Sequence, residues 1–443
     1  MESKSTKISG LSHHLHGVLT ELHRQPYPHV PNPLTCKKRA SVALIIRVRP
    51  TYDHWPNSTP AENISQPAQP TQQRLDEFFS YSWVQHGEPE VLFIKRASRV
   101  GDRWTGHVAL PGGKRDPEDA DDKAAAIREA SEEIGLDLTT DDTISVGNLP
   151  ERVVTTSWGS EPLMVLCPFV FLTTRSDPLT LKLQPTEVAS THWIPLRALL
   201  SPSLRTVEYV DMSQRFGRQG GFLTRLAIRS LMGWMQFSAV RLVPSETHQC
   251  TTTPGFVPEE NTPKSSLIQR FKGWCLSGQA DSNDTTRPLL LWGLTLGILA
   301  DFLDMLPPHQ TVQLWKYPTF TVPDLRLIVS MVTYNLRKHN ALNVRSGARP
   351  SNMASDGETT ALPVTQETNF EHDRNEVGIG GLGVGRYYGL TDRATDGTSY
   401  AVGIMLRGYY DRLRIAIWVF LAWRVAIGSI ASVSAWQILR RLR

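Results

Sequence analysis

The sequence predicts an α/β fold built on a mixed sheet, carrying two polar insertions and a helical C-terminal extension. Three observations predict it. Apolar runs of strand length recur through the first half of the chain, among them SVALIIRV (41–48), EVLFIKRAS (90–98) and LMVLCPFVFLTT (163–174), and runs this continuous suit buried strands. Between the second and third, residues 121–134 place Ala126, Ile127, Ala130 and Ile134 on one face of a helix. Stretches rich in Pro, Gln, Ser and Asn break the pattern at 50–88 and 244–286, where little apolar surface is available to bury.

The composition suits a globular chain. It has 443 residues, 40% of them hydrophobic, with 31 Gly and 30 Pro, which excludes collagen-like, fibrous and wholly disordered chains. The length allows two or three domains, or one enlarged by insertions. With 47 basic against 43 acidic residues and a net charge of +4, nothing global argues for nucleic acid as a partner. Cys36, Cys167, Cys250 and Cys275 are widely spaced and form no CxxC pair, so neither a disulfide framework nor a zinc site is expected. The first residues lack a secretory apolar core and carry Glu2, so an intracellular protein is expected.

Taken in order, residues 1–40 read as a polar segment, and the first buried strand opens at 41. The 50–88 insertion leads to the strand at 90–98, then HVALPGG (107–113), where Pro111-Gly112-Gly113 stops a strand. The acidic helix at 121–134 precedes strands at 144–149 and 163–174, the latter rich in Val, Phe and Leu. WIPLRALL (193–200) reads as a short helix and MQFSAVRLV (235–243) as a strand. After the 244–286 insertion, PLLLWGLTLGILADFLDML (288–306) is a buried core helix closing a 41–306 domain. An accessory basic helix (307–340), a disordered linker (341–385) and a basic hydrophobic tail (386–443) follow.

Chemistry concentrates in PGGKRDPEDADDKAAAIREASEEIGL (111–136). On the helix, Glu129, Glu132 and Glu133 stand at i, i+3 and i+4, a self-repelling carboxylate cluster on the face away from the small apolar residues. Such a cluster suits hard divalent cations, Mg²⁺ or Mn²⁺, shared with substrate phosphates. Gly112 and Gly113 permit a tight turn, and a Gly113 carbonyl can add an oxygen ligand. Arg128 stands four residues before Glu132 and can hold a carboxylate in its ligand rotamer. A solvated acidic helix face is the ordinary alternative for such a run.

With these residues in place, the chain resembles the Nudix hydrolase family, whose signature is G, five residues, E, seven residues, then R-E-U-x-E-E-x-G-U with U aliphatic. Arg128-Glu129-Ala130-Ser131-Glu132-Glu133-Ile134-Gly135-Leu136 matches its second half. In the first half, Gly113 to Arg128 is one residue longer than the signature, and Ala120 stands eight before Arg128 where Glu is expected, with Asp119, Glu118 and Asp122 as candidates for that role. The wording GGKRDP resembles the coenzyme A diphosphatase branch. Its upstream motif survives here as Arg96, Arg103, Gly106, Pro111, Gly112 and Gly113 with altered spacing and Leu110 in place of Phe.

The resemblance implies a Nudix-type α/β/α sandwich over about 41–306. It implies metal-dependent cleavage of a diphosphate bond in a nucleoside diphosphate derivative, with coenzyme A or acyl-coenzyme A giving a 3′,5′-bisphosphate nucleotide and phosphopantetheine. Glu129, Glu132 and Arg128 are the implied catalytic residues, with Glu129 also taking a proton from water. Glu129, Glu132, Glu133 and Gly113 are implied around the metal, Arg96, Arg103 and Gly112 on substrate, and Asp119 or Glu187 as an additional acid. The alternatives are another nucleotide substrate, such as an oxidised nucleoside triphosphate or a dinucleotide polyphosphate, and a silent, membrane-tethered nucleotide sensor. Outside the motif, His107, Cys167 and Trp292 read as structural residues.

The tail adds a separate expectation. Residues 415–439 hold one charge, Arg424, and 25 helical residues exceed the roughly 30 Å of a bilayer core. Arg424, Ser429, Ser432, Ser434 and Gln437 scatter around a helical wheel, which argues against a helix lying flat on a membrane. A spanning or membrane-bound tail and a helix buried on the domain both remain as readings.

Overall fold

The computed structural model describes residues 6–56, 69–97, 105–155, 162–211, 213, 222–250, 288–307, 315–347, 405–406 and 408–442. Its centre is a mixed sheet of β1 (Arg39–Arg49), β2 (Glu88–Arg96), β3 (Val108–Ala109), β4 (Gly112–Lys114), β5 (Thr143–Asn148), β6 (Arg152–Thr155), β7 (Pro162–Thr173), β8 (Val188–Pro195) and β11 (Glu246–Gln249). The order is β11-β8-β2-β1-β7-β5, with β3 on β2, β4 on β1 and β6 on β7. β1 and β7 run parallel, Ser41 opposite Cys167, while β2 and β4 are antiparallel to β1.

The apolar runs are continuous because both faces of this sheet are covered. Leu44, Ile46 and Val48 of β1, Val91 and Phe93 of β2, and Val170 and Leu172 of β7 enter one core. The alternate residues Ala43, Ile45, Leu92, Ile94 and Phe171 enter a second core against Ala126, Ala130 and Ile134 of α4 (Asp122–Ile134). The period-two split makes an α/β/α sandwich.

The other face corrects two expectations. Residues 1–40 are not simply a polar segment, since α1 (Thr6–Arg24) sets Leu15, Leu19 and Leu22 into the first core at i, i+4 and i+7. Nor is 50–88 solvated throughout. α2 (Thr71–Ser80) and α3 (Ser82–Gln85) bury Leu75, Phe78, Phe79, Trp83 and Val84, with Phe78 edge-on to Phe79 and Trp83; residues 57–68 lie outside the described residues.

WIPLRALL divides at Pro195. Its first half ends β8, whose residues pair with β2, and only α5 (Leu196–Leu200) is helical. A second, smaller sheet follows. β10 (Trp234–Arg241) carries β9 (Arg205–Asp211) along one edge, and β12 (Leu290–Trp292) and β13 (Thr319–Phe320) share the other. α6 (Phe222–Met232) lies between β9 and β10 in the chain. The insertion expected from 244 begins as β11, paired with β8, and its remainder from 251 lies outside the described residues.

α7 (Gly293–Asp304) is the expected core helix, started by β12. α8 (Pro323–Gly347) runs into the segment expected as a linker, whose residues from 348 lie outside the described set. α9 (Tyr409–Arg441) forms the tail. Buried ion pairs join these parts, with Arg152 on Asp301 linking β6 to α7. Arg47 is held by Glu90 and lies 4.1 Å above the Trp193 ring.

Candidate active site

The acidic helix is fixed at both ends. Asp121 caps it by accepting from the Ala124 N–H at 2.7 Å, and Gly135 closes it with an N–H shared between the Ala130 and Ser131 carbonyls. Its apolar stripe lies on β1 and β2, so Glu129 and Glu133 are held against the turn between β3 and β4.

That turn explains both glycines. Gly112 has φ 149° and packs on the β1 backbone at Ser41 and Val42. Its N–H donates to Glu133 Oε2 at 2.8 Å, so the residue expected on substrate holds a carboxylate of the cluster. A Cβ on Gly113 would fall 2.5 Å from the Glu129 carboxylate, and only glycine leaves that oxygen pair its place.

Burial sets the electrostatics. Glu133 is nearly inaccessible, and desolvation pushes its pKa up to about 8 despite the Gly112 N–H and Arg96, with Glu129 and Glu187 adding repulsion. Desolvation also raises Glu129, opposed by Arg128 and reinforced by Glu132 and Glu187. Glu187 thus lies within electrostatic reach of both. Arg96 comes to 3.9 Å from Glu133 Oε1, and Arg103 lies outside the described residues.

Arg128 is fully engaged. Its Nε and one terminal nitrogen donate to the two Asp119 oxygens at 3.0 Å each, a fork-to-fork pair. The other terminal nitrogen donates to Glu129 at 3.0 Å and Glu132 at 2.9 Å, and the Lys114 carbonyl takes a further bond. Arg128 is therefore a positioning residue rather than one free to meet substrate. Of the three acids considered for the Glu missing at Ala120, Asp119 is the one Arg128 grips, and those bonds hold its pKa below the ordinary range. Asp122 instead pairs with Arg39 and Arg115, at 2.8 and 3.3 Å.

These residues fit a hard divalent cation. Burial raises the pKa of both Glu129 and Glu133, with neighbouring acids adding to it, and carboxylate oxygens are the donors that hard divalent cations take. A second group of donors also lies close, the ligand atoms of His29, Asp122 and Glu151 falling within 4.8 Å of one another, and there the Arg39 guanidinium donates to Asp122 at 2.8 Å and Glu151 at 2.7 Å.

Sequence reasoning missed this Arg39 network, which ties β1 to the first residue of α4. Trp292, expected in the core, packs against it partly buried, 4.9 Å from the His107 ring and 5.6 Å from Phe237. The His107 carbonyl accepts the backbone N–H of Arg96 at 3.0 Å, which ties this aromatic pair to the strand that carries Arg96. The signal in the sequence was the proximity of His107 to Arg96; the pairing with residue 292 is purely tertiary.

A glycine turn pressed on an arginine-clamped acidic helix, within an α/β/α sandwich, defines a protein of the Nudix class. The NUDIX domain family model matches residues 81–215. The chain is 32% identical over 310 residues to the uncharacterized protein C14C4.10c of Schizosaccharomyces pombe, covering 68% of this chain and 77% of that one, and it belongs to the Nudix family. Shorter matches reach the mouse mitochondrial coenzyme A diphosphatase NUDT8, 46% identical over 52 residues, and the mouse peroxisomal coenzyme A diphosphatase NUDT7, 50% over 50. These cover 12% and 11% of this chain, and 25% and 21% of those proteins. Among solved structures, the NUDIX domain of Shewanella oneidensis NrtR is 16% identical, with a TM-score of 0.23 over 38% of this chain and 81% of that one.

Proposed function

We propose that this Nudix domain hydrolyses a diphosphate bond with Mg²⁺ or Mn²⁺, on coenzyme A or acyl-coenzyme A in preference to other nucleotides. The observation that carries the reading is the set of carboxylates on α4, held in place by Arg128, Asp119 and the glycine turn. The cations would supply charge neutralisation on the diphosphate and Lewis acidity toward the attacking water. Glu129, whose proton affinity is raised, accepts the proton as the water oxygen bonds to phosphorus and the bridging P–O bond breaks. Arg128 keeps Glu129 and Glu132 in place, Glu133 is oriented by Gly112, and Glu187 is positioned to add an acid from the neighbouring loop.

Arg96 stands beside Glu133, where a cation meets phosphate oxygens. The partly exposed Trp292 and His107 rings, 4.9 Å apart where the His107 backbone bonds that of Arg96, suit a nucleotide base. The names of the short-matching mouse proteins support coenzyme A as the first substrate. Asp119 in Arg128's grip speaks against a silent sensor, because the motif's missing acid has a replacement. We further infer an intracellular protein associated with a membrane through its tail.

The test is a panel of diphosphates with Mg²⁺ or Mn²⁺, products resolved by chromatography. Coenzyme A should yield a 3′,5′-bisphosphate nucleotide and phosphopantetheine. Faster turnover of an oxidised nucleoside triphosphate or a dinucleotide polyphosphate would move the substrate, and binding without turnover would favour the sensor.

A further inference from the structure

Helix α9 has two halves with different surroundings. From Tyr409 to Phe420 it lies antiparallel on α8, burying Tyr409, Tyr410, Leu413, Ala416, Ile417 and Phe420. Three contacts give the register: Asn340 donates to the Met405 carbonyl at 3.0 Å, Leu336 lies beside Gly408, and Asp324 pairs with Arg424. Past Arg424 the helix overshoots the start of α8, and every residue from 422 to 442 is exposed.

The overhang is apolar on all sides. Val425, Ile427, Ile430, Val433, Trp436 and Leu439 step around the helix and are 44% to 69% exposed; an 18-residue window of mean hydropathy 1.8 joins this overhang to the end of the docked half, which supplies its 17% buried share. A second copy docking side-on would still leave most of that circumference in water, whereas lipid covers all of it.

The charges mark the ends. Val425–Leu439 carries none, and Arg440 and Arg441 follow, with Arg440 5.0 Å above the Trp436 ring, an arrangement suited to anionic headgroups. At the near end, the one charge inside the apolar stretch is already met: Arg424 Nε lies 2.8 Å from Asp324 Oδ2, and a terminal nitrogen donates to Oδ1 at 3.0 Å.

From these observations we infer that α9 enters an anionic phospholipid bilayer only from Val425 onward, with the Arg424–Asp324 pair at the membrane surface and the 409–420 half staying docked on α8. The span is thus shorter than the 415–439 segment expected from sequence. Fifteen residues at about 1.5 Å each give about 22 Å, less than the roughly 30 Å hydrocarbon core, a mismatch that snorkelling arginines and local thinning accommodate. The sandwich is held close against the membrane by a continuous helix.

Amide hydrogen exchange on the full-length protein tests this, with and without vesicles of phosphatidylcholine and phosphatidylserine. Residues 425–439 should gain at least tenfold protection on vesicle addition, while 409–420 stays protected throughout. Unchanged exchange in 425–439 would overturn the inference, as would protection that grows with protein concentration in the absence of lipid, the mark of a second copy. Loss of protection in 409–420 on vesicles would overturn the boundary at Arg424. Ile430→Glu combined with Val433→Glu should reduce co-flotation with vesicles at least tenfold and leave diphosphate hydrolysis unchanged, so this result stands apart from the fate of the proposed activity.

Discussion

Asp119 is the residue on which the reading of the site turns. It stands nine rather than eight positions before Arg128, yet it takes both faces of the guanidinium fork. Asp119→Asn replaces one oxygen by an amide that cannot accept, so Arg128 should loosen its hold on Glu129 and Glu132. The expected result is a fall in kcat of about tenfold, or about 1.4 kcal/mol, with an unchanged melting temperature and circular dichroism spectrum. Glu133 makes the opposite case, a side chain whose burial in the ionised form opposes stability. Glu133→Gln keeps an oxygen for the Gly112 N–H and removes the ionisable group. In protein stripped of divalent cations it should raise Tm by about 2–4 °C per kcal/mol of desolvation relieved, and it should abolish turnover. A lower Tm for this variant would mean that Glu133 is satisfied without metal. The acids and glycines of this site could be read from their spacing, because i, i+3, i+4 geometry is local. Asp119's selection over Glu118 and Asp122 could not, because it depends on Arg39 and Arg115 taking Asp122.

Among the elements, α4 was legible almost to its ends, since its cap, apolar stripe and terminating glycine are neighbours in the chain. β8 was not. THWIP carries a polar His192 inward, where it bonds Ser190 and Thr247 at 2.9 and 3.0 Å, and a proline at its end, so neither alternation nor a clean apolar run announced a strand. α1 was hidden for a related reason, its His-rich surface obscuring a narrow leucine stripe. β12 carries a prediction of its own, because it delivers Trp292 beside His107. Trp292→Ala should raise KM for nucleotide substrates about fivefold to tenfold with little change in kcat, consistent with loss of a stacked ring worth about 1 kcal/mol or somewhat more. A fall in kcat at constant KM, measured by steady-state kinetics, would place Trp292 in support of the catalytic turn instead.

In the whole molecule, the sandwich was visible in the sequence and its additions were not. Both faces of the sheet are apolar, which shows in β1, β2 and β7 as uninterrupted runs. The smaller sheet is assembled from four short strands whose partners lie as far apart as Thr206 and Ala239, or Gln236 and Thr319; pairing over such distances leaves no local signature. The tail was legible as apolar but not as divided, because only the tertiary contact of Asp324 with Arg424 shows where the docked half ends. The site, the second sheet and the tail share one framework: α4 positions acids over the sheet, β12 brings Trp292 to His107, and α9 docks its first half on α8. The most direct measurement is the rate of coenzyme A cleavage against Mn²⁺ concentration for the full-length protein and for Glu132→Gln. The expected result is no turnover without metal, saturable activation with it, and a loss of at least a hundredfold in the folded variant. Equal rates in the two proteins, or cleavage that persists after chelation of all divalent cations, would contradict the assignment of hydrolysis to the acidic helix.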